Sequence, residues 1–503
     1  MEITENSRLP FTSFDHWRLA DRKYRRLPRL EQCPCPSLPT AWHSFWNPEQ
    51  ASLLLESGRH GRYTILVREA FHHLTGDEKG LHVFSTRAEA GTPAFFPGPI
   101  LPALRNWPHK FPVPALSSPV PPCHGGLFGL ISYDLARQLE SIPDVARNDL
   151  DFPLVRLLDA SLIQVYDHQL RSLTTIVWEE IAPQAGEDSL RDLWRRAGER
   201  LDQAVRDWFV TPDAPPLPVS SQPVQAPVQT SFSPSSFMQA VETIKEFIAA
   251  GDTYQVNLSL RESRPLSVSP ETIYEGLRRI NPSPYMGLFR LPEWTLVCGS
   301  PELLLKRQDD ELSTRPIAGT RPRGRLETAE DAALAHELVI NPKERAEHLM
   351  LVDLLRNDLG RVCTYGSVRV PEFMTVEKYS HVQHIVSLVK GHLEGRFDSW
   401  DALAAVFPGG TITGAPKIRT MQIIESLEPV RRGPYTGSLG WIDPRGRNME
   451  WNIIIRSLLA REGWGHVQAG AGIVADSQPE SEYRESLQKA KALWQAVAEV
   501  SDH

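Results

Sequence analysis

Two acidic residues and a lysine share one side of a predicted helix near the C-terminus. Glu482, Glu485 and Lys489 are three and four residues apart, which places them together on an α-helix. A solvated Glu–Lys face explains this spacing by itself. However, residues 470–474 form an apolar, glycine-rich segment, predicted as a turn, that leads towards the helix and permits close approach of a ligand. Carboxylates with open coordination positions suit Mg²⁺, and Glu347 on another predicted helix is a further candidate ligand.

A Gly/Thr-rich loop, residues 407–417, runs into the start of another predicted helix. Backbone N–H groups and the helix dipole make such a terminus a site for an anion. Gly409 and Gly414 have the spacing of the two glycines of a nucleotide P-loop, but Ala415 stands where that loop needs lysine. The nucleotide interpretation therefore fails, and a carboxylate ligand remains open.

A pair of histidines, His381 and His384, has two ordinary explanations, a zinc pair or core histidines. The glutamate that a zinc-protease helix needs is absent, which argues against zinc. The functional interpretation that we favour is a single histidine acting as an acid or hydrogen-bond donor.

The elements that must position these residues follow a proline-rich segment, residues 213–234, which is predicted to be a linker. Helices are predicted at 189–208, 237–250, 344–359 and 481–500, with another starting near Pro416; strands are predicted at 161–166, 173–178, 452–456 and 466–468. Because strands and helices do not alternate strictly, the pattern favours an α+β fold with large antiparallel sheets.

Four helices carry apolar positions that predict a buried face. These positions are Phe237, Val241, Ile244 and Ile248; His348, Leu351, Val352 and Leu355; Ile418, Met421, Ile423 and Ile424; and Tyr483, Leu487, Ala490, Trp494 and Val497.

The bulk composition excludes several classes of protein. The chain has 503 residues, of which 41% are hydrophobic and 23% charged, and a net charge of −8, so neither nucleic acid nor an anionic membrane surface is an expected partner. The N-terminus lacks the apolar core of a secretory signal, and no apolar run approaches the roughly 20 residues of a membrane span. Five cysteines cannot form a disulfide framework. These features predict a soluble, cytoplasmic protein.

Six segments in order resemble the chorismate-binding family of anthranilate and aminodeoxychorismate synthase large subunits. They are residues 300–302, 315–320, 347–358, 379–387, 408–417 and 470–477, and they extend over most of the chain after residue 235. The resemblance implies the α+β fold of chorismate-utilising enzymes, in which large antiparallel β-sheets form a sandwich with flanking helices. It divides the chain into an N-terminal region (1–212), the linker (213–234) and a catalytic region (235–503).

The resemblance also implies a role for individual residues. The residues that would bind chorismate are Gly319, Thr320, Thr411, Tyr435, Arg456, Gly470, Ala471, Gly472 and Lys489. Glu347, Glu482 and Glu485, with Glu302 beside them, would hold or surround Mg²⁺, and His384 and Glu302 would be catalytic. Arg456 and Lys489 complement a dianionic substrate, and a leaving hydroxyl needs a nearby acid.

A second pocket is implied by weaker matches at residues 53–57 and 281–286. Glu56, Ser57, Pro284, Tyr285 and Met286 resemble the tryptophan pocket of the family. That pocket serves feedback in anthranilate synthases, and in the sister enzymes it holds a structural tryptophan or nothing.

Ala318 departs from the pattern of many aminodeoxychorismate synthases, which carry a nucleophilic lysine at this position. A covalent lysine intermediate is excluded here. Residues 255–259, 408–413 and 435–441 nevertheless resemble an alanine-bearing subgroup, so we expect amination of chorismate to 4-amino-4-deoxychorismate. Anthranilate synthesis is the main alternative, and a non-catalytic tryptophan-binding relative is another. The resemblance implies a separate glutaminase (amidotransferase) subunit as the source of ammonia.

Overall fold

The computed structural model describes residues 11–20, 22–39, 42, 45, 49–57, 61–86, 93–116, 119–209, 227–280, 282–322, 329–378 and 382–501. The strands are β1 (Arg26–Pro34), β2 (Ser52–Glu56), β3 (Tyr63–Gly76), β4 (Gly80–Ser85), β5 (Ala94–Pro97), β6 (Gly126–Ile131), β7 (Val155–Asp167), β8 (Ser172–Glu180), β9 (Gln229–Thr230), β10 (Gln255–Pro265), β11 (Tyr285–Arg290), β12 (Thr295–Ser300), β13 (Leu303–Gln308), β14 (Glu311–Arg315), β15 (Ile317–Pro322), β16 (Arg369–Lys378), β17 (Val382–His392), β18 (Gly414–Ala415), β19 (Ser438–Ile442), β20 (Asn448–Asn452), β21 (Ser457–Arg461) and β22 (Trp464–Ile473).

The helices are α1 (Phe14–Arg18), α2 (Ile100–Lys110), α3 (Ala136–Leu139), α4 (Glu187–Phe209), α5 (Pro234–Ala249), α6 (Pro270–Ile280), α7 (Ala329–Ile340), α8 (Pro342–Gly360), α9 (Ser399–Val406), α10 (Lys417–Leu427) and α11 (Pro479–Ser501). Short 3₁₀ turns lie at Tyr133–Leu135 and Gly410–Ile412. Among the helices that the structure describes, none is long and apolar enough to span a membrane.

The strands form an extensive antiparallel network in which the two halves of the chain interleave. β2 pairs with β11, and β6 lies between β7 and β19. A core of apolar side chains from β3, β6, β7, β11, β12 and β19 fills the space between the sheets. β7 is buried along its whole length, so its sequence lacks the alternation of apolar and polar residues seen in a strand with one solvent-exposed face. This arrangement confirms the predicted α+β sandwich with flanking helices.

The helices cover the network with the apolar faces that the sequence predicts. On α8, His348, Leu351, Val352 and Leu355 are buried, and α11 buries Ala490, Trp494 and Val497. α5 begins after Ser233, whose hydroxyl accepts a hydrogen bond from the Ser236 N–H. Ile418 is an exception: it is 44% exposed, because it lies on the solvent side of the first turn of α10, whose Lys417 and Thr420 are buried.

Three local predictions differ from the structure or extend beyond it. Residues 470–473, predicted as a turn, continue strand β22, because they pair with β10 along its length. The predicted strand at 452–456 instead ends at Asn452 as β20. At the end of the predicted linker, Gln229 and Thr230 pair with β10, whereas residues 210–226 lie outside the described residues. The proposed division into two regions stays a prediction.

Candidate active site

Glu302 is a buried acid immediately before strand β13, with 5% of its surface exposed. Burial raises the pKa of Glu302 to about 7, against the opposing influence of the Thr411 hydroxyl, the Ile317 N–H and the Arg456 guanidinium. The Thr411 hydroxyl lies beside the carboxyl, although its geometry falls short of a regular hydrogen bond. Glu302 can therefore carry a proton near neutral pH.

His384 on β17 lies in the same cluster. It is 2% exposed, and its Nδ1 is 3.2 Å from the Gly319 carbonyl oxygen. Burial, together with the nearby Arg456, lowers the pKa of His384 to about 4. A carbonyl oxygen only accepts, so Nδ1 carries the proton and the neutral ring offers Nε2 as an acceptor. Burial beside a cation disfavours the imidazolium, so of the two predicted roles the lowered pKa favours the hydrogen-bond donor over the acid, and the role of His384 stays a prediction.

Gly319 joins the buried cluster to helix α8. Its φ is +64°, a conformation that favours glycine, and a Cβ there would lie 2.8 Å from Glu344 Oε2. The Arg321 Nη1 donates to Glu344 Oε1 at 3.0 Å, and Glu344 lies about one helical turn before Glu347. Thr320 pairs with His384 in the β15–β17 ladder through its backbone.

The three carboxylates predicted as metal ligands lie on two helices, Glu347 on α8 and Glu482 and Glu485 on α11. Burial raises the pKa of Glu347, and the neighbouring Glu344 and Glu485 raise it further. Burial also raises the pKa of Glu482, with Glu485 again contributing. Glu485 is therefore near enough to Glu347 and to Glu482 to disfavour the ionisation of each.

The donor set is compatible with Mg²⁺. No group of three or more His, Cys, Asp or Glu side chains among the described residues is already arranged as a metal site. Mg²⁺ needs only one or two protein carboxylates, since it retains waters and takes oxygens from its substrate. Glu347 and Glu485, coupled across two helices, meet that requirement, and a cation between them would relieve their repulsion.

Lys489 stands at the edge of this carboxylate group. Its Nζ is 2.8 Å from Glu485 Oε1 and also donates to the Gly470 carbonyl oxygen at 3.0 Å. Both side chains are 52% exposed, so the pair is open to solvent and to a ligand. The pair is therefore a solvated Glu–Lys face, as the spacing alone indicates, and it lies near the partly buried Glu347 and Glu482.

Gly470 and Gly472 of β22 are needed because groups of β10 approach them closely, which the sequence alone did not indicate. Gly472 lies opposite Asn257 on β10, and a side chain at Gly472 would overlap with the Gln255 amide. Gln255 Nε2 in turn donates to Glu347 Oε1 at 3.3 Å. Ala471, between the glycines, packs its methyl group into the core against α5 and α10. The alternation of Gly470, Ala471 and Gly472 thus keeps one face of the strand open for polar side chains.

Other functional residues were missed because only tertiary structure connects them to the site. Glu344 and Gln255 both touch predicted site residues, yet each lies in a segment with an ordinary helix or strand pattern. The available signals were that Glu344 lies three residues before Glu347 and that Gln255 begins the segment 255–259, which resembles the alanine-bearing subgroup. Tyr435 was predicted, and burial raises the pKa of its hydroxyl. His381 lies outside the described residues.

The five residues of the predicted tryptophan pocket all line one cavity of about 1040 Å³. Met286 pairs with Glu56 across β11 and β2. The Glu56 carboxylate is already held at 2.9 Å by both the Tyr274 hydroxyl and the Arg278 guanidinium. Ser57 donates to the Pro284 carbonyl oxygen at 3.4 Å, and Tyr285 completes the set. The five predicted residues therefore share one cavity, and tryptophan as its ligand stays a prediction.

The sequence profile described as chorismate binding enzyme matches residues 97–495, and the chain belongs to that family. It is thus a chorismate-utilising enzyme.

Individual relatives agree with this assignment. The chain is 45% identical to aminodeoxychorismate synthase component 1 of Bacillus subtilis, over 88% of this chain and 91% of the relative. It is 42% identical to anthranilate synthase component 1 of Thermus thermophilus, over 91% of this chain and 94% of that protein. The crystal structure of anthranilate synthase component I from Streptococcus pneumoniae superposes with a TM-score of 0.71 at 31% identity, covering 86% and 92% of the two chains.

Proposed function

We propose that this chain is the large subunit of an aminodeoxychorismate synthase, converting chorismate and ammonia to 4-amino-4-deoxychorismate. The observation that carries the chemistry is the buried Glu302, an acid with a pKa of about 7 beside the Arg456 guanidinium. Loss of a ring hydroxyl requires proton donation, and an acid with a pKa near neutral is suited to it. The branch is supported by the 45% identical relative from Bacillus subtilis.

In this mechanism the protein binds the two substrate carboxylates and supplies a proton. Arg456 and Lys489 provide the cationic groups, and Glu302 donates its proton to the departing hydroxyl. Neutral His384 keeps its ring orientation through the Nδ1–H that donates to the Gly319 carbonyl oxygen. Glu347, Glu482 and Glu485 would hold Mg²⁺, which when bound neutralises a substrate carboxylate.

A separate glutaminase subunit supplies ammonia in this proposal. A glutaminase nucleophile needs a thiolate. Burial instead raises the pKa of Cys33, Cys123 and Cys298, and raises that of Cys363 to about 11. Together with the absence of a Gly-flanked cysteine turn from the sequence, these shifts favour ammonia that is made elsewhere.

The decisive experiment supplies purified protein with chorismate, Mg²⁺ and an ammonium salt at raised pH, and separates the products. We expect 4-amino-4-deoxychorismate, and no turnover in excess chelator. Isochorismate, or no product at all, would refute the proposal. Glutamine should replace ammonium only after a glutaminase is added. Efficient use of glutamine by the chain alone would refute the need for a separate glutaminase subunit.

Anthranilate synthase activity is the second candidate, and Ala318 favours it, because it removes the lysine that many aminodeoxychorismate synthases carry. The 42% identical Thermus thermophilus relative points the same way. Pyruvate release distinguishes the two, since only anthranilate formation eliminates it. Intact-mass measurement of quenched enzyme should find no chorismate adduct in either case.

A further inference from the structure

A buried ion pair, Glu428–Arg432, lies just after helix α10, and neither residue was expected to contribute to the site. The Arg432 Nε donates to Glu428 Oε2 at 2.9 Å, and Nη2 donates to Glu428 Oε1 at 2.7 Å. The two side chains are only 1% and 3% exposed. A buried ion pair is weak evidence for stability, because desolvation offsets the attraction between the charges. Its surroundings indicate another role.

The remaining Arg432 donors reach three separate segments of the candidate site. Nη1 donates to the Ile412 carbonyl oxygen at 3.0 Å, next to Thr411, and to Thr436 Oγ1 at 3.3 Å, next to Tyr435. Nη2 donates to the Asn257 carbonyl oxygen at 2.7 Å. Asn257 pairs with Gly472 across the β10–β22 ladder.

Glu428 holds the same strand at a second point. Its Oε1 accepts from the Ser259 N–H at 2.9 Å and from the Ser259 hydroxyl at 2.8 Å. Ser259 pairs with Gly470. The guanidinium also packs against Tyr435, with its Cζ 5.6 Å from the ring centroid. The pair therefore joins the turn that carries Thr411, the turn that carries Tyr435, and the strand opposite Gly470 and Gly472.

We propose that the Glu428–Arg432 pair is a positioning element that sets these three segments at the spacing chorismate requires. This inference rests on the proposed use of Thr411, Tyr435 and β22 for chorismate binding. Guanidinium donors form a rigid planar fork, so one side chain fixes several acceptors relative to one another. A lysine at this position would keep the charge but lose the fork.

The test compares Arg432→Lys with a matched pair elsewhere. Arg26 and Asp159 form a bidentate, buried ion pair at 2.8 and 2.7 Å, and Arg26 contacts none of the segments above. Chorismate affinity is measured by calorimetry with Mg²⁺ present, alongside kcat, KM and the melting temperature. We expect Arg432→Lys to weaken chorismate binding about tenfold, with a matching rise in KM and a smaller change in kcat. Arg26→Lys should lower the melting temperature and leave chorismate affinity unchanged.

Chorismate affinity within twofold of wild type in folded Arg432→Lys would overturn the inference, as would an equal loss in Arg26→Lys. If Arg432→Lys does not fold, Ser259→Ala tests the inference instead. This variant removes the hydroxyl that donates to Glu428 Oε1 and leaves the Glu428–Arg432 ion pair in place. We expect about threefold weaker binding in that variant, and unchanged binding overturns the inference. Wild-type protein that binds chorismate but makes no aminated product refutes the proposed function alone, since the affinities still test the positioning role.

Discussion

The two acidic regions of the candidate site differ in how their charges are controlled. Glu302 is enclosed, with 5% of its surface exposed, and burial is the main cause of its raised pKa. Glu485 is half exposed and forms an ion pair with Lys489, and it acts chiefly by raising the pKa of its acidic neighbours. The enclosed acid is held by the protein alone, whereas in the proposed function the more exposed carboxylates would bind a cation. Variants in the two regions should therefore fail in different ways.

The largest effect is expected from Glu302→Gln, which keeps the shape of the side chain and removes the acidic proton. We expect kcat to fall about 10²- to 10⁴-fold, the usual contribution of a general acid, with chorismate affinity retained. Initial rates with saturating chorismate, Mg²⁺ and ammonium measure this. Glu179→Gln is the matched control, because Glu179 is also buried and forms its ion pair with Arg200 on α4, away from the site. Equal losses in both variants would contradict a special role for Glu302.

Glu485→Gln should act on metal rather than on the chemical step. We expect the Mg²⁺ concentration for half-maximal rate to rise by at least about tenfold, with saturating Mg²⁺ restoring most of the activity. Titration of rate against Mg²⁺ tests this. Glu480→Gln changes an exposed acid on the same helix, paired with Arg484, and should leave the titration unchanged. A loss in Glu485→Gln that Mg²⁺ cannot reverse would remove the distinction between the two regions.

His384→Ala should have a smaller effect, because a neutral histidine contributes hydrogen bonds rather than a proton. We expect kcat/KM to fall about five- to tenfold. His384→Asn should recover part of this loss, because its amide can replace the Nδ1–H that donates to Gly319. Steady-state kinetics of both variants, with circular dichroism to verify folding, distinguish this from a core histidine. If both variants unfold, His384 is structural.

The pH profile gives the smallest and most specific effect. Burial raises the pKa of Glu302 to about 7, so the protonated, active form predominates below that pH and is lost as pH rises through it. With free ammonia held constant, the wild-type rate should fall about twofold between pH 6 and 7 and further above it. His384, with a pKa lowered to about 4, should add no step in this range. A basic limb that persists in Glu302→Gln would assign it to another group.

Much of the fold could be predicted from periodicity and turn chemistry. α8 and α11 are long helices with apolar faces, and the structure places both within two residues of the predicted ends. Short elements were harder, because their state depends on tertiary partners. Residues 470–473 have a glycine-rich sequence typical of a turn, but pairing with β10 makes them a strand.

The composition of the site could be predicted through motifs, but its electrostatics could not. The sequence predicts Glu347, Glu482 and Glu485 as metal ligands. In the structure, the charge of Glu485 contributes to the raised pKa of each of the other two. By contrast, the low pKa of His384 arises from burial and from Arg456, which is 72 residues away in sequence. No local pattern records such an environment, so the sequence could not indicate that burial lowers the pKa of His384, and the catalytic role of this residue stays a prediction.

The pairing of β6 with β19 has a consequence for how this protein is made. Ile131 lies beside Ser438 in the completed network, more than 300 residues apart in the chain. At a synthesis rate of about 5–20 residues per second, the partner of β6 leaves the ribosome tens of seconds after β6 itself. Throughout that interval one edge of β6 has unsatisfied backbone groups next to apolar side chains, a combination that invites pairing with other chains. We therefore expect nascent chains of this protein to depend on chaperones that shield strand edges until the C-terminal half is complete.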